Sequence, residues 1–299
     1  MSIIIDEKKK ILIQGITGRE GSTRAKLMKD YGSNVVAGCT PGKGGQEVNG
    51  IPVFDTAEEA VEETGQIDIS VIFVPAPLVK EAALEAFDAK IPLAVIIPDR
   101  VPIHDVLEIS ERAKKLGFNF IGPNTLGVLS PGKGLLGMIG GKSESAKHWF
   151  KKGKIGVVSR SGGMTSSLAY YLNQENIGQT TIVHVGGDAI IGMPIADVML
   201  EFEKDPETEA MVMFGEIGTS QEEEVARLVK EGKISKKIIA YIGGKAAKEG
   251  TRFSHAGAII EGNKGSYHGK VSSLKEAGVH VVENFNDIPK VTKNVLGIK

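Results

Sequence analysis

The stretch RFSHAGAIIEGNKG, residues 252–265, sets one histidine among small residues. His255 lies beyond an apolar run, between Gly250 and Gly257, with little side-chain bulk to fill the space around its ring. An imidazole in that setting can swing between two positions, which suits a covalent carrier: a phosphorylated imidazole is reactive enough to pass its phosphoryl group in either direction. Such a carrier needs an acidic group to orient the ring and a helix N-terminus to receive the charge. FGEIG (214–218) places Glu216 just past another apolar run. A carboxylate beside a histidine keeps one ring nitrogen protonated and leaves the other nucleophilic. Each residue also has a plainer reading. Taken alone, a glutamate such as Glu216 is more often just a surface carboxylate. His255 could be the base of a Ser/His/Asp hydrolase, although the serine elbow G-x-S-x-G is absent. His104, His148, His184, His268 and His280 read as structural or solvated.

Glycine-rich loops follow three other apolar runs. GITGREG spaces Gly15, Gly18 and Gly21 as G-x-x-G-x-x-G and lacks the GK[ST] ending of a Walker loop. It serves equally as a tight strand-to-helix turn or as a phosphate seat at a helix N-terminus. CTPGKGG (39–45) puts Lys43 where an NAD site would hold an acidic side chain. A lysine there attracts phosphate as a point charge, which suits a ribose with an extra phosphate: CoA or NADP. Its plainer reading is a solvated turn lysine. SRSGGMTSS (159–167) offers the hydroxyls of Ser159 and Ser161 and the bare amides of Gly162 and Gly163 at a helix opening. It is either an anion seat or an N-cap with ordinary glycines.

The elements that must carry these loops alternate along the chain. KKILIQG, NVVAGC, DISVIFVP and PLAVIIP are apolar on both faces, as buried parallel strands are, and helical patterns with polar openings separate them. FNFIGP adds a short strand. The alternation restarts at KIGVVSR and continues through QTTIVHVGG, EAMVMFGE, KKIIAYIGG and GVHVVEN. The expected fold class is α/β: a Rossmann-like domain over residues 1–129, a Gly/Lys/Ser-rich linker over 130–153, and a flavodoxin-like parallel domain over 154–299.

Composition narrows the function. Lys plus Arg is 36 and Asp plus Glu is 37, so the basic excess of a nucleic-acid binder is missing. The lone Cys39 excludes an internal disulfide and a multi-cysteine metal cluster, and no metal site is expected. No apolar run approaches ~18 residues and the N-terminus is the reverse of a signal peptide, so a cytoplasmic protein off the membrane is expected.

In order along nearly the whole chain stand QGITG, TPGKGG, VPAP, IGPN, VSRSG, GGD, FEKDP, GEIG and HAGAII. Together they resemble the α-subunit of succinyl-CoA synthetase and its relatives citryl-CoA synthetase and ATP-citrate lyase. The resemblance implies that His255 is the phosphohistidine and Glu216 its partner. It implies a CoA site at Thr17, Gly18, Arg19, Glu20 and Lys43, with Ile97, Pro98 and Asp99. Arg19 and Glu20 replace a Ser-Gln pair common in the family. It further implies an ATP-grasp β-type subunit that brings ATP or GTP and Mg²⁺, in a heterodimer or heterotetramer. The implied cycle phosphorylates His255, transfers the phosphoryl group to a carboxylic acid, and passes the acyl group to the CoA thiol. Ser159, Ser161, Gly162, Gly163 and Ser166 fall at the acid and phosphate site. Succinate-using members read SRSGTLTYE, whereas this chain reads SRSGGMTSS, with Ser166 in place of the tyrosine. SRSGGM looks like the citrate loop of ATP-citrate lyase, so citrate is the expected acid and succinate or malate the alternatives. Intact HAGAII and GEIG argue against a non-catalytic CoA-binding module.

Overall fold

The computed structural model describes residues 3–246 and 265–298. The chain forms two compact units, one built on Ile4–Lys147 with Ile190–Gly192, the other on His148–Ala189 and the residues from Met193 onward.

The first unit runs β1 (Ile11–Gln14), α1 (Arg19–Tyr31), β2 (Val35–Cys39), β3 (Glu47–Val48), β4 (Ile51–Phe54), α2 (Ala57–Thr64), β5 (Ile69–Ile72), α3 (Val79–Asp88), β6 (Leu93–Ile96), α4 (Ile103–Leu116) and β7 (Asn119–Ile121). A hairpin of β8 (Gly127–Ser130) and β9 (Gly134–Gly137) and then α5 (Ser143–Trp149) follow, the last two residues of α5 counting with the second unit. The sheet order is β3-β4-β2-β1-β5-β6-β7, parallel except for β3 against β4. Without the short β3 this is the doubly wound order 3-2-1-4-5-6, which reverses direction between β1 and β5. β1 and β5 are buried along their whole length because helices cover both faces. One core joins Ile72, Ile96 and Phe120 to Phe87 of α3 and Ile109 of α4; another joins Leu12 and Ala37 to Ala57 and Ala60 of α2. Full burial of a side chain such as Phe87 is worth about 1.5–3 kcal/mol.

The β3–β4 turn is Asn49-Gly50, with φ of 54° and 72°. Those left-handed values match a type I′ hairpin turn, for which Asn-Gly is the preferred pair. α2 begins at Thr56, whose hydroxyl accepts from Glu59 N–H at 3.1 Å.

The second unit runs β10 (Lys152–Ser159), α6 (Gly162–Gln174), β11 (Gln179–His184), α7 (Ile195–Lys204), β12 (Ala210–Glu216), α8 (Gln221–Lys230), β13 (Lys237–Gly243), α9 (Tyr267–Glu276), β14 (His280–Val282) and α10 (Ile288–Leu296). Within it, β11-β10-β12-β13-β14 lie side by side and parallel. Numbered within the unit, that is 2-1-3-4-5, the flavodoxin-like order, with its switch point between β10 and β12.

The segment expected as a linker, 130–153, instead holds the end of β8, β9, α5 and the first residues of β10. Its glycines mark the hairpin: Gly132 at its turn has φ of 76°, and a Cβ on Gly137 would sit 2.5 Å from the Leu126 carbonyl oxygen. Ser33 Oγ closes the packing, donating to Leu135 O at 2.7 Å and accepting from Leu135 N–H at 2.8 Å.

Candidate functional site

Each sheet presents a loop and a helix N-terminus at its own switch point, where ligands of open α/β sheets bind. In the first unit the chain leaves β1 at Gly15, in the left-handed region at φ 79°, and enters α1 through Gly18. Gly18 N–H returns to Gly15 O at 3.1 Å, and a Cβ on Gly21 would lie 2.1 Å from that same oxygen. The third glycine therefore lets helix and strand end touch. No side chain caps α1, so its first amides face outward as an anion seat.

Beside this turn opens a cavity of about 560 Å³, lined by Gly15, Thr17, Gly18, Thr40, Phe73, Val74, Pro75 and Leu78 among others. Its floor is tied by Gln14, which donates to Ala82 O and to Glu85 Oε2, each at 2.9 Å, and accepts from Ser70 Oγ at 2.7 Å. Cys39 also lines it, with its thiol pushed up to about 12 by burial and then by the nearby carboxylates Glu85, Glu59 and Asp55. At neutral pH that thiol is protonated and unreactive.

Of the residues expected at a CoA site, Thr17 and Gly18 line the cavity. Arg19, Glu20, Lys43, Ile97, Pro98 and Asp99 do not. Arg19 is exposed at the first turn of α1, where Glu20 pairs with Arg24 at 3.2 Å. Lys43 is exposed in a turn whose neighbours Gly42 and Gly45 take positive φ. Ile97 is buried after β6, Pro98 O accepts from Asn124 N–H at 2.7 Å, and Asp99 pairs with Arg100 at 3.4 Å.

In the second unit β10 ends at Ser159 and α6 starts at Gly162. Ser161 is the N-cap residue, but its side chain makes no cap bond, and the first turn holds no carboxylate. The positive end of this 13-residue helix is thus left open. Ser159 is fully buried and its hydroxyl serves the loop itself, accepting from Ser161 N–H at 3.0 Å and donating to Ser161 O at 3.1 Å. Gly163 is exposed, with nothing within 4 Å of an added Cβ. Ser166 lies a turn further on and lines a separate cavity of about 240 Å³ with Trp149, Ser167 and Tyr170.

Glu216 ends β12, beside β10 in the sheet. Its carboxylate Oε1 lies 3.6 Å from Nη1 of Arg160, a side chain with no exposed surface. Arg160 also donates to Thr219 Oγ1 and to Asp188 O, each at 3.2 Å, so one guanidinium binds together the loops after β10, β11 and β12. Its Nε has no hydrogen-bond partner among the described residues. The buried His184, expected as structural or solvated, meets Arg160 O at 2.9 Å through Nε2. Sequence reasoning passed over Arg160 even though it sits inside SRSG. The available signal was a cation right after the apolar run IGVV at the buried end of a central strand, which has to be buried against an acid.

His255 lies outside the described residues, so the structure is silent on its distance to Glu216. Among the described residues no group of three His, Cys, Asp or Glu side chains could hold a metal. No helix there is long and apolar enough to cross a membrane.

Comparison with known proteins agrees with this architecture. The CoA binding domain family matches residues 6–99 and the CoA-ligase family residues 158–280. A succinate–CoA ligase (ADP-forming) alpha subunit from Aquifex aeolicus is 46% identical over 300 residues, covering 100% of this chain and 96% of that one. An alpha subunit 1 of the same name from Archaeoglobus fulgidus is 43% identical over 296 residues, 99% of each chain. Among solved structures, a Methanosaeta concilii ATP citrate lyase in complex with (3S)-citryl-CoA superposes with a TM-score of 0.90 at 24% identity, over 98% of this chain and 50% of that one. That likeness shows the fold. The chain is an acid–thiol ligase polypeptide with a CoA-binding domain followed by a CoA-ligase domain, and it belongs to the family of succinate–CoA ligase alpha subunits.

Proposed function

We propose that this chain is the CoA-binding, phosphohistidine-carrying subunit of an ADP-forming succinate–CoA ligase. The observation that carries the reading is the second unit's switch point. There the open N-terminus of α6, the carboxylate of Glu216 and the buried Arg160 meet at adjacent strand ends. Such a site can receive a transferred anion at the helix end while a carboxylate orients an imidazole.

In this reading His255 is the nucleophile that takes the phosphoryl group, with displacement of the nucleoside diphosphate. Glu216 accepts the N–H of one ring nitrogen and leaves the other with its lone pair toward phosphorus. The amides of Gly162 and Gly163 stabilise the phosphoryl oxygens, with Ser161 at the rim. A substrate carboxylate oxygen then attacks phosphorus, the nitrogen–phosphorus bond breaks, and the ring returns to its neutral state. Ser159 holds the loop rather than the substrate, because its hydroxyl is engaged within it.

The cavity beside β1 fits CoA in kind: an apolar wall of Phe73, Val74 and Leu78 for a ring or chain, and the uncapped α1 amides at Gly18 and Arg19 for phosphate. When bound there, CoA supplies the thiol that takes the acyl group. Thr17 and Gly18 would contact it directly. Lys43, Arg19 and Glu20 would form the outer rim, and Ile97, Pro98 and Asp99 the edge after β6. A β-type subunit supplies the nucleotide, Mg²⁺ and the ATP-grasp machinery, and the assembly works in the cytoplasm.

For the acid, SRSGGM suggests citrate, but the likeness to ATP citrate lyase is one of fold, at 24% identity, while relatives above 40% carry the succinate name. Succinate is therefore the proposed acid. Reconstitution with a β-type subunit and γ-³²P-ATP tests the whole reading. An acid-labile, base-stable label on this chain is expected, and a thioester assay should favour succinate over citrate and malate. A folded complex that takes no label would rule out the carrier role, and citrate winning by a wide margin would return the acid to the glycine-loop reading.

A further inference from the structure

Beneath Glu216 lies a buried ionic cluster that the catalytic reading leaves unused. Lys270 of α9 has no exposed side-chain surface. Its ammonium pairs with the equally buried Glu222, pairs with Glu223 at 2.9 Å, and donates to Thr219 O at 3.1 Å. The two carboxylates divide their oxygens in the same way. Glu222 gives Oε2 to Lys270, and its Oε1 accepts the backbone N–H of Glu216 at 2.9 Å. Glu223 gives Oε2 to Lys270, and its Oε1 accepts the N–H of Gly265 at 3.1 Å. Gly218 N–H closes the ring of contacts by donating to Gly265 O at 2.8 Å. Gly215 makes the approach feasible, since a Cβ there would lie 2.5 Å from Glu222 Oε1.

Sequestering the charges of Lys270 and Glu222 from water costs several kcal/mol per ion, and an apolar core of the same volume is often as stable. What an apolar core cannot supply is two carboxylate oxygens fixed on two chosen backbone amides. One belongs to Glu216. The other belongs to Gly265, the residue directly after 247–264, the stretch that contains His255.

We propose that Glu222, Lys270 and Glu223 are positioning residues that lock the backbone of Glu216 to Gly265, and so set the orienting carboxylate relative to the residue that follows the His255 stretch in sequence. The inference rests on the reading of His255 as carrier and Glu216 as its partner. A misplacement of about 1 Å can cost on the order of 100-fold in such a transfer.

The test is single-turnover labelling of the reconstituted, gel-filtered complex with γ-³²P-ATP. Glu222→Leu, which removes the acceptor for Glu216 N–H, is expected to slow labelling roughly 10- to 100-fold. The nucleotide concentration for half-maximal rate and the CoA affinity should stay within about 2-fold, a split that general destabilisation would not produce. Glu222→Gln keeps one acceptor oxygen for Glu216 N–H but turns an amide N–H toward the Lys270 ammonium, so a partial recovery is expected, to a rate at least about 3-fold above that of Glu222→Leu. Glu223 is a quarter exposed, so Glu223→Ala decides the matter if Glu222→Leu does not assemble, with a slowing of about 10-fold expected. Parent-like labelling in Glu222→Leu or Glu223→Ala, or a loss in Glu222→Leu that Glu222→Gln does not relieve, would overturn the inference alone. An unlabelled parent would overturn the catalytic reading and this inference with it.

Discussion

The two switch points use one device in two ways. Both place an uncapped helix N-terminus after the first strand of a parallel sheet. In the first unit the charges near that end, Arg19 and Glu20, are exposed, and the titratable thiol of Cys39 is held neutral by burial. In the second unit a buried guanidinium and a nearly buried carboxylate stand beside the helix end, with a second ionic cluster beneath. On the proposed reading, the difference separates holding from transferring. A seat that only holds an anion can rely on backbone amides and tolerate solvated charges around it. A seat across which charge moves has to fix its charged groups in advance, because reorganising them would add to the barrier.

Four experiments would break or sharpen that contrast. Cys39 should be the most extreme reporter. With its thiol pushed up to about 12, iodoacetamide at pH 8 should modify the native chain on the order of 10³-fold more slowly than the denatured one, since each pKa unit removes tenfold of the thiolate. The same shift makes stability pH-dependent. The thiol's folded value lies above its ordinary 9.0, so its contribution is complete below pH 9 and is lost as pH rises toward 12. Rapid native modification would show a charged, accessible group in the first cavity and erase the distinction.

Glu216→Gln should slow labelling of the reconstituted complex on the order of 10²- to 10³-fold, the scale of a lost orienting carboxylate. CoA affinity, measured by calorimetry, should stay within about 2-fold, and an equal fall in both would mean that the two seats are not separable. Gly21→Ala should do the reverse. Its Cβ meets the Gly15 carbonyl, so a loss of about 1–3 kcal/mol in denaturant unfolding is expected, together with weaker CoA binding. Gly163→Ala should have the smallest effect: its Cβ enters open space at the first turn of α6, so a gain of about 0.4–1 kcal/mol is expected from the stiffer unfolded chain. A destabilised Gly163→Ala protein would mean that the α6 end is more confined than its geometry indicates.

Most of the framework was legible because buried parallel strands are short, mostly apolar runs, and ILIQ, LAVI and KIIAYIG could be little else. The β3–β4 hairpin was not read, although Asn49-Gly50 signals it, because its strands are so short and so polar at Glu47 that periodicity alone passes over them. Residues 130–153 read as a linker because GVLSPGKGLLG carries its glycines at a hairpin turn and at close backbone contacts, a use that composition does not separate from a connecting segment. At the site, Glu216 and the glycine loops were visible as local patterns. Lys270 was not, because its partners lie 47 and 48 residues away on α8, and a lysine in a helix reads as solvated until the fold buries it.

The close pass of Gly21 against Gly15 carries a practical corollary. It freezes the path of the turn, yet the Arg19 side chain just before it is 93% exposed. A small fluorophore attached at position 19 would therefore stand at the mouth of the cavity without altering its walls. It would report the arrival of a guest as a change in brightness, in a protein whose own lone tryptophan, Trp149, lies in the other unit.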